Sequence, residues 1–376
     1  MTPSMLAAIL PAAGAPLALE TIPIPQPRRG ELLVRVAACG VCHTDLHVMK
    51  GEVPFPTPAV LGHEISGTVV ELGEGVEGPP VGARVVGTFV MPCGSCPACA
   101  RGADDLCETF FTLNRLRGVL YDGESRLFRP DGSPLAMYSM GGLAEYAVVP
   151  DTAVYPLPPA AALEEAAVLG CAALTAYGAV RRGADLRAGE RVAVVGTGGV
   201  GSLIVQFARA LGALQVVAVD LGEDKLAAVR SLGATDVVDA GREDPVARVL
   251  ELTGGGVDVA FEAIGLPSTF VQAVEMLRDG GRMVAVGIAP AGDRAPIEIT
   301  RLVRRGLRIA GSYGARPRTD MPTLLGLVDA GVLQPDRDVS RRFALEDVNA
   351  AYAALDAREI VGRAIVTMGA ERRSAS

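Results

Sequence analysis

A glycine-rich turn between an apolar run and a helix-like segment constrains the fold of this chain more than any other feature. The run Arg191–Val195 is apolar and rich in β-branched residues, as in a buried strand, and residues 202–209 have helical character. The turn between them reads Gly196-Thr197-Gly198-Gly199-Val200-Gly201 and matches G-x-G-x-x-G. Such glycines permit a tight turn and close approach of the backbone to a pyrophosphate at the helix N-terminus. The pattern predicts a dinucleotide-binding unit.

A second apolar strand, Gln215–Val219, ends in Asp220, where a dinucleotide-binding fold has its ribose-binding acid. The Asp220 carboxylate accepts hydrogen bonds from a free ribose 2′-hydroxyl but repels a phosphate, so NAD is predicted rather than NADP. Strand-like runs recur at residues 235–238, 257–261, 282–287 and 307–310. This alternation predicts an α/β domain with a doubly wound parallel sheet. Ile264 and Ile288, which follow two of these runs, are further candidates for cofactor contact.

A group of four cysteines has the spacing of a metal site. Cys93, Cys96, Cys99 and Cys107 form C-x2-C-x2-C-x7-C. Four thiolates at this spacing close a tetrahedral shell on zinc, which stabilises the fold but leaves no position for a substrate. An iron–sulfur cluster is the competing interpretation, and it is disfavoured because no fourth cysteine follows at x3 spacing with a proline after it. The spacing therefore predicts a structural zinc.

A second cluster of metal-binding residues precedes the first. All three histidines fall between residues 43 and 63, beside Cys42, Asp45 and Glu64. A single histidine is usually a core or surface residue, but this clustering favours a metal site. Cys42 and His63 are two candidate zinc ligands, and the carboxylates of Asp45 and Glu64 are expected to orient the ligands and moderate their charge. A third ligand must come from elsewhere in the chain.

Length, composition and charge restrict the class of protein. With 376 residues, 49% of them hydrophobic, the chain is expected to form two domains. A net charge of -8 disfavours nucleic acid or an anionic membrane as the partner, so a small molecule is predicted. The apolar first twenty residues contain three prolines, which predicts two short strands rather than a signal peptide or membrane span. Seven cysteines without a secretory signal then favour metal binding in the cytoplasm.

These motifs together resemble the zinc-containing medium-chain alcohol dehydrogenases over nearly the whole chain. The resemblance rests on the run at Cys42, the sequence Gly62-His63-Glu64, the four-cysteine segment and Leu169-Gly170-Cys171. It implies a GroES-like β-barrel catalytic domain formed by residues 1–172 and 312–376, with a NAD-binding Rossmann domain formed by residues 173–311. It also implies that Cys42, His63 and Cys171 bind a catalytic zinc, giving two zinc ions per chain.

The resemblance further assigns a proton path and the remaining cofactor contacts. Thr44 would take the substrate proton and pass it through the cofactor ribose to His47. Lys225 matches the family's adenosine-ribose lysine, and His43 and Arg363 match residues that contact the pyrophosphate. In such an enzyme the zinc acts as a Lewis acid on an alcohol or aldehyde oxygen, and the nicotinamide carries the hydride.

The resemblance also implies a substrate pocket. Its residues are Thr44, Val53, Phe89 and Ile288. Because this set is mostly apolar, the expected substrate is a primary alcohol, or its aldehyde, with an apolar tail. A thiol-dependent formaldehyde dehydrogenase is the alternative, although Phe111 stands where glutathione-dependent members carry an arginine.

Two further expectations concern catalysis and assembly. Some relatives have lost zinc and serve as binding or structural proteins, but the complete set of ligands disfavours that class here.

The chain keeps a long segment between Cys107 and Tyr146, which the resemblance associates with dimeric members. A homodimer is therefore expected.

Overall fold

The computed structural model describes residues 3–290 and 292–369. Contacts between Cα atoms divide the chain into two units, which we name the barrel unit (Met1–Cys171 with Arg316–Ser376) and the parallel-sheet unit (Ala172–Ala315). The parallel-sheet unit thus ends at Ala315, whereas residue 311 was expected. The reason is a close contact, since a Cβ atom on Gly178 would lie 2.1 Å from the Gly314 carbonyl oxygen.

The strands formed by the described residues are, in chain order, β1 Ser4–Leu10, β2 Ala18–Pro23, β3 Glu31–Gly40, β4 Ala59–Val60, β5 Ile65–Leu72, β6 Arg84–Gly87, β7 Leu127–Phe128, β8 Pro134–Met137, β9 Tyr146–Pro150, β10 Val154–Pro156, β11 Arg191–Val195, β12 Gln215–Asp220, β13 Asp236–Asp239, β14 Val257–Glu262, β15 Leu277–Ala285, β16 Arg308–Gly311, β17 Val339–Ala344 and β18 Arg363–Thr367.

The α-helices are α1 His43–Met49, α2 Pro97–Ala100, α3 Ala172–Gly178, α4 Gly201–Ala210, α5 Glu223–Ser231, α6 Pro245–Thr253, α7 Pro267–Glu275, α8 Ile299–Arg304, α9 Pro317–Asp329, α10 Pro335–Asp338 and α11 Val348–Asp356. Short 3₁₀ turns cover Asp104–Leu106, Asp151–Ala153, Glu165–Gly170 and Leu345–Asp347, and π turns cover Phe110–Arg115 and Ala179–Gly183. Within the described part of the chain, no helix is long and apolar enough to cross a membrane.

The parallel-sheet unit contains six strands in the order β13-β12-β11-β14-β15-β16. Every neighbouring pair in this sheet is parallel. The central strands are continuous apolar runs because both faces of a parallel sheet are covered by helices, and every residue of β14 is buried. This order, in which successive strands are added outward on both sides of β11, confirms the predicted doubly wound sheet.

The glycine turn after β11 has the conformation that its sequence predicts. Gly196 has a φ of 89°, a region that favours glycine, and a Cβ atom there would lie 2.4 Å from Ile264 Cγ1. A Cβ atom on Gly201 would lie 1.8 Å from the Gly196 carbonyl oxygen, so only glycine lets α4 begin this close to the turn. The turn therefore directs the first amides of α4 toward the carboxyl end of β11.

The barrel unit contains two sheets. One has the strand order β2-β1-β4-β8-β7, and the other has the order β10-β6-β5-β3-β18-β17, with β9 also paired to β3. β1 and β2 pair antiparallel, which confirms the two short strands predicted near the start of the chain. The pairing of β3 with β5 contains two register shifts, the kind of irregularity that β-bulges produce.

A buried ion pair fixes the start of β3 to the segment that precedes β7. The Arg126 guanidinium donates from Nε and Nη2 to both carboxylate oxygens of Glu31, at 2.9 and 2.6 Å. It also donates to Asp122 from Nη2 at 2.7 Å. The Arg126 side chain is only 3% exposed, so the two-point geometry compensates for the loss of hydration. A second pair, Arg129 with Glu20, has similar geometry but lies near the surface.

We predict that Arg126→Leu lowers the free energy of unfolding by about 3 kcal/mol, because it leaves the Glu31 carboxylate buried without its cation. Arg129→Leu is the matched control, and its partly exposed pair is expected to contribute at most about 1 kcal/mol. Urea unfolding of the zinc-loaded variants measures both values. Equal losses in the two variants would contradict the assigned difference in burial.

Candidate active site

Four side chains of the barrel unit converge at one buried point. They are Cys42, His63, Glu64 and Cys171, whose sulfur, nitrogen and oxygen atoms all lie within 4.8 Å of one another. Cys42 directly precedes α1, His63 and Glu64 directly precede β5, and Cys171 follows a 3₁₀ turn. The spacing of these atoms fits a metal ion with ligands from three separate segments.

Two glycines let the backbone bring these ligands together. A Cβ atom on Gly62 would lie 2.6 Å from the Leu143 nitrogen and 2.8 Å from Cys39 Sγ. A Cβ atom on Gly170 would lie 1.9 Å from the Gly87 carbonyl oxygen. His63 and Cys171, the residues that follow the two glycines, are therefore positioned by contacts that exclude any larger side chain.

The imidazole of His63 is oriented by Asp45. The two side chains are 3.1 Å apart between His63 Nδ1 and Asp45 Oδ1, and both are buried. Asp45 also accepts from the Gly62 amide at 3.1 Å and from the Tyr352 hydroxyl at 3.2 Å. With Nδ1 hydrogen-bonded to Asp45, Nε2 is the ring nitrogen left to bind a metal, and it has no hydrogen-bond partner among the described residues. A buried, unpartnered imidazole nitrogen is what a metal ligand requires.

Glu64 and Arg363 form a buried pair beside the cluster. Arg363 Nη2 donates to Glu64 Oε2, and both side chains are almost fully buried. Burial raises the pKa of Glu64 to about 7, although the charge of Arg363 opposes the shift. The guanidinium, which was predicted to contact the cofactor, thus has a partner inside the barrel unit, and its contact with the cofactor stays a prediction.

The two thiols of the cluster influence each other. A hydrogen bond shared with Cys171 lowers the pKa of Cys42 well below its ordinary value, and the same bond raises the pKa of Cys171. The two sulfurs are close enough to bind one metal ion, which binds cysteine as the thiolate.

The proposed relay residues lie on α1, next to the cluster. Thr44 Oγ1 is 3.6 Å from Cys42 Sγ. His47 lies one turn further on, and its Nδ1 contacts the carboxylate of Glu52. His43 lies on the same helix, with ring centroids 6.4 Å from His47, and burial lowers the pKa of its imidazole.

Two of the predicted pocket residues adjoin the residues just described. Phe89 is buried, and its ring meets the His63 ring edge-on, with centroids 6.1 Å apart. The Val53 amide donates to the His47 carbonyl oxygen at 3.2 Å. Ile288 belongs to the parallel-sheet unit, where it is 52% exposed.

The four-cysteine segment folds around a second point. The sulfurs of Cys93, Cys96, Cys99 and Cys107 also lie within 4.8 Å of one another. Backbone amides donate to three of them, at 3.3 Å from Cys96 to Cys93, 3.5 Å from Cys99 to Cys96, and 3.3 Å from Cys93 to Cys107. Burial opposes ionisation of Cys93, but hydrogen bonds from Thr109, Ser95 and Cys96 lower its pKa to about 6. Amides directed at sulfur stabilise thiolates, which suits a structural zinc.

The parallel-sheet unit contains the predicted cofactor residues other than His43 and Arg363, which belong to the barrel unit. Asp220 ends β12, and its carboxylate accepts from the Thr197 and Leu221 amides. Lys225 Nζ lies 3.9 Å from Asp220 Oδ1.

A Cβ atom on Gly198 would meet no atom within 4 Å, so open space lies in front of the glycine turn. Ile264, whose side chain is 43% exposed, packs against Gly196 of this turn. Open backbone beside the start of α4 fits a pyrophosphate.

Sequence reasoning missed three contacts of these sites. Tyr352 is separated from Asp45 by 307 residues, and no local pattern links them. Glu52 lies only five positions after His47, a spacing that gave no signal because its contact depends on how the chain turns after α1. Thr197 occupies a position of the glycine pattern that accepts any residue, so only the structure identifies its contact with Asp220.

Comparisons with known proteins cover both units. Residues 28–159 match the alcohol dehydrogenase GroES-like domain, and residues 199–330 match the zinc-binding dehydrogenase family. An S-(hydroxymethyl)glutathione dehydrogenase from Synechocystis sp. is 34% identical over 352 residues, which are 92% of this chain and 95% of that protein.

Comparison with solved structures also identifies alcohol dehydrogenases as similar proteins. An alcohol dehydrogenase zinc-binding domain protein from Burkholderia ambifaria is 36% identical with a TM-score of 0.93, and the match covers 98% of this chain and 100% of that one. The benzyl alcohol dehydrogenase from Acinetobacter calcoaceticus is 32% identical with a TM-score of 0.91 and the same coverage. The predicted fold class and the family inferred from the motifs are therefore confirmed.

The GroES-like match covers Cys42, His63, Glu64 and the four-cysteine segment, the dehydrogenase match begins within the glycine turn, and the similarity to relatives extends over almost the entire chain. The chain therefore belongs to the zinc-dependent alcohol dehydrogenases of the medium-chain family, and it is an oxidoreductase that uses NAD and zinc.

Proposed function

We propose that this enzyme interconverts a primary alcohol that has an apolar tail and the corresponding aldehyde, with NAD(H) as the redox partner. The main support for the proposal is the edge-on contact between Phe89 and His63, because the apolar Phe89 ring lies directly beside a candidate metal ligand. Thr44 borders the same cluster through Cys42. A substrate oxygen bound at the cluster would have an apolar surface next to its carbon chain.

The catalytic zinc is proposed to be held by Cys42, His63 and Cys171. When bound, it supplies Lewis-acid polarisation of the substrate oxygen, and NAD supplies the hydride acceptor. Asp45 fixes the His63 ring through Nδ1, and Glu64 moderates the local charge together with Arg363. These contacts support an open site with three protein ligands.

The proton of the alcohol is proposed to leave through Thr44 and His47. Both lie on α1, and the imidazole of His47 is partly exposed, so it can exchange its proton with water.

His43 on the same helix, together with Arg363, is proposed to contact the pyrophosphate of the cofactor. Asp220 and Lys225 are proposed to bind the adenosine ribose, with Ile264 and Ile288 as apolar contacts.

Residue type supports the choice of substrate class. An apolar pocket stabilises each buried methylene by about 0.8 kcal/mol and offers no partner for the hydroxyls of a polyol, whose desolvation is then uncompensated. Thr44 carries a methyl group that a serine would lack, and this methyl group is proposed to crowd a second substituent on the reacting carbon. Secondary alcohols are therefore expected to be poorer substrates than primary ones.

A thiol-dependent formaldehyde dehydrogenase is the second candidate, favoured by relatives that carry the name S-(hydroxymethyl)glutathione dehydrogenase. A glutathione adduct carries carboxylates that require a cation. Phe111 provides none, and the nearby Arg115 guanidinium already stacks 4.1 Å above the Tyr138 ring. The available side chains therefore favour the apolar alcohol.

We predict that kcat/KM with NAD rises about fourfold for each added methylene from ethanol to hexanol. Benzyl alcohol is expected to be a good substrate, whereas 2-propanol and sorbitol are expected to be poor. Formaldehyde with glutathione is the comparison that tests the second candidate. Highest efficiency with the glutathione adduct, with sorbitol or with 2-propanol would rule out the proposed substrate class.

A second prediction concerns the metal content. Elemental analysis is expected to find two zinc ions per wild-type chain and one in Cys171→Ser, which loses turnover because a ligand of the open site is missing. Cys99→Ser is expected to lose the other zinc. Cys39→Ala is the matched control, since Cys39 is a buried cysteine of neither cluster, and it should keep both ions. Two zinc ions in Cys171→Ser would refute the assigned ligand set.

We further infer a homodimer formed through β16. All four residues of this edge strand are exposed, and the neighbouring α8 exposes Ile299 and Val303 at 76% and 71%. The opposite edge strand, β13, begins and ends with aspartate, and charged edges discourage pairing. Two copies of β16 can pair about a twofold axis, which satisfies their free backbone groups.

The seven cysteines, none in a disulfide, support a cytoplasmic location.

Ile309→Asp is predicted to convert the dimer into a monomer, because it places a charge in the centre of β16. Leu214→Asp is the control, since Leu214 is exposed at 61% but lies outside the edge strand. Light scattering after size exclusion measures the mass of each variant. A tetrameric wild type, or a dimeric Ile309→Asp variant, would contradict this assembly.

A further inference from the structure

Thr197 makes a contact with Asp220 that the glycine pattern does not require. Its backbone amide donates to Asp220 Oδ2 at 2.6 Å, and its hydroxyl donates to the same oxygen at 2.9 Å. Thr197 is 5% exposed, so both hydrogen bonds are shielded from water. The two donors from one residue fix the position of Oδ2.

The other carboxylate oxygen of Asp220, Oδ1, accepts fewer hydrogen bonds than Oδ2. Asp220 Oδ1 accepts from the Leu221 amide at 2.7 Å, and Lys225 Nζ is 3.9 Å away, beyond hydrogen-bond distance. A carboxylate offers about two acceptor positions on each oxygen. Oδ2 is filled by Thr197, and one position remains on Oδ1.

We propose that Thr197 is a positioning residue for nucleotide selection: its hydroxyl holds the Asp220 carboxylate so that Oδ1 faces the ribose. This inference rests on the proposed role of Asp220 in ribose binding. Among the described residues, the donors within hydrogen-bond distance of the carboxylate are neutral, so no cation in that range offsets its negative charge. A fixed, charged carboxylate binds a ribose hydroxyl and repels a 2′-phosphate. A carboxylate free to rotate does both less well.

The test measures binding rather than turnover. NADH and NADPH are titrated into the zinc-loaded enzyme, and the fluorescence of the reduced nicotinamide reports both dissociation constants; the chain contains no tryptophan to interfere. Thr197→Val keeps the shape and the amide but removes the hydroxyl. It is expected to weaken NADH binding about fivefold and to lower the ratio of the NADPH to the NADH dissociation constant.

Thr197→Ser, which retains a hydroxyl, is the matched control and should keep both the wild-type affinity and the wild-type ratio. Thr197→Ala is a second variant without the hydroxyl, should the valine disturb the turn. If Asp220→Asn weakens NADH binding but neither Thr197→Val nor Thr197→Ala changes affinity or ratio, the role of Thr197 is wrong and that of Asp220 stands. If Asp220→Asn leaves NADH binding unchanged, the ribose contact itself fails, and the inference fails with it.

Discussion

Close backbone approach at two glycines is the constraint on which the metal cluster depends. His63 and Cys171 each follow a glycine whose missing side chain allows another strand or loop to come within contact distance. Metal ligands need to be placed within a few tenths of an ångström. A methyl group at Gly170 would have to displace the Gly87 carbonyl, which it would approach to 1.9 Å, and would move Cys171 with it. The cluster is therefore defined as much by these glycines as by its ligands.

The buried charges around the cluster are tolerated because each has a specific partner. An isolated carboxylate in such a position would lose several kcal/mol of hydration. Asp45 is compensated by the His63 ring, the Gly62 amide and the Tyr352 hydroxyl. Glu64 is compensated by Arg363. Buried pairs of this kind contribute little net stability, but they fix the ring of His63 and the charge beside the cluster.

The sequence predicted those parts of the molecule that short-range spacing determines. The central strands of the parallel sheet are continuous apolar runs, so β11 and β12 were located almost to the residue. β15 was expected from residue 282 but begins at Leu277, because its pairing with β14 shifts register across a polar stretch that reads as a turn.

The two candidate metal clusters also differ in how far the sequence predicts them. The four-cysteine segment is local, and its spacing alone indicates a closed metal site. Cys171, the predicted third ligand of the other cluster, came only from family resemblance, since nothing near it in sequence distinguishes it from a buried small residue. Tyr352 and the pairing of Arg363 with Glu64 join residues about 300 positions apart, so only the folded chain reveals them.

Two carboxylates in this enzyme, those of Glu64 and Asp220, have different kinds of hydrogen-bond partner, and the difference suits the roles proposed for them. Glu64 lies against a guanidinium, which makes the pair nearly neutral and leaves the charge at the cluster to be set by the thiolates and the metal. Asp220 is held by neutral amide and hydroxyl donors, and the Lys225 ammonium, 3.9 Å away, is partly exposed and therefore weakly coupled to it. In its proposed role, Asp220 distinguishes a ribose hydroxyl from a phosphate, which requires a negative charge. Neutral donors give it a fixed position without cancelling that charge.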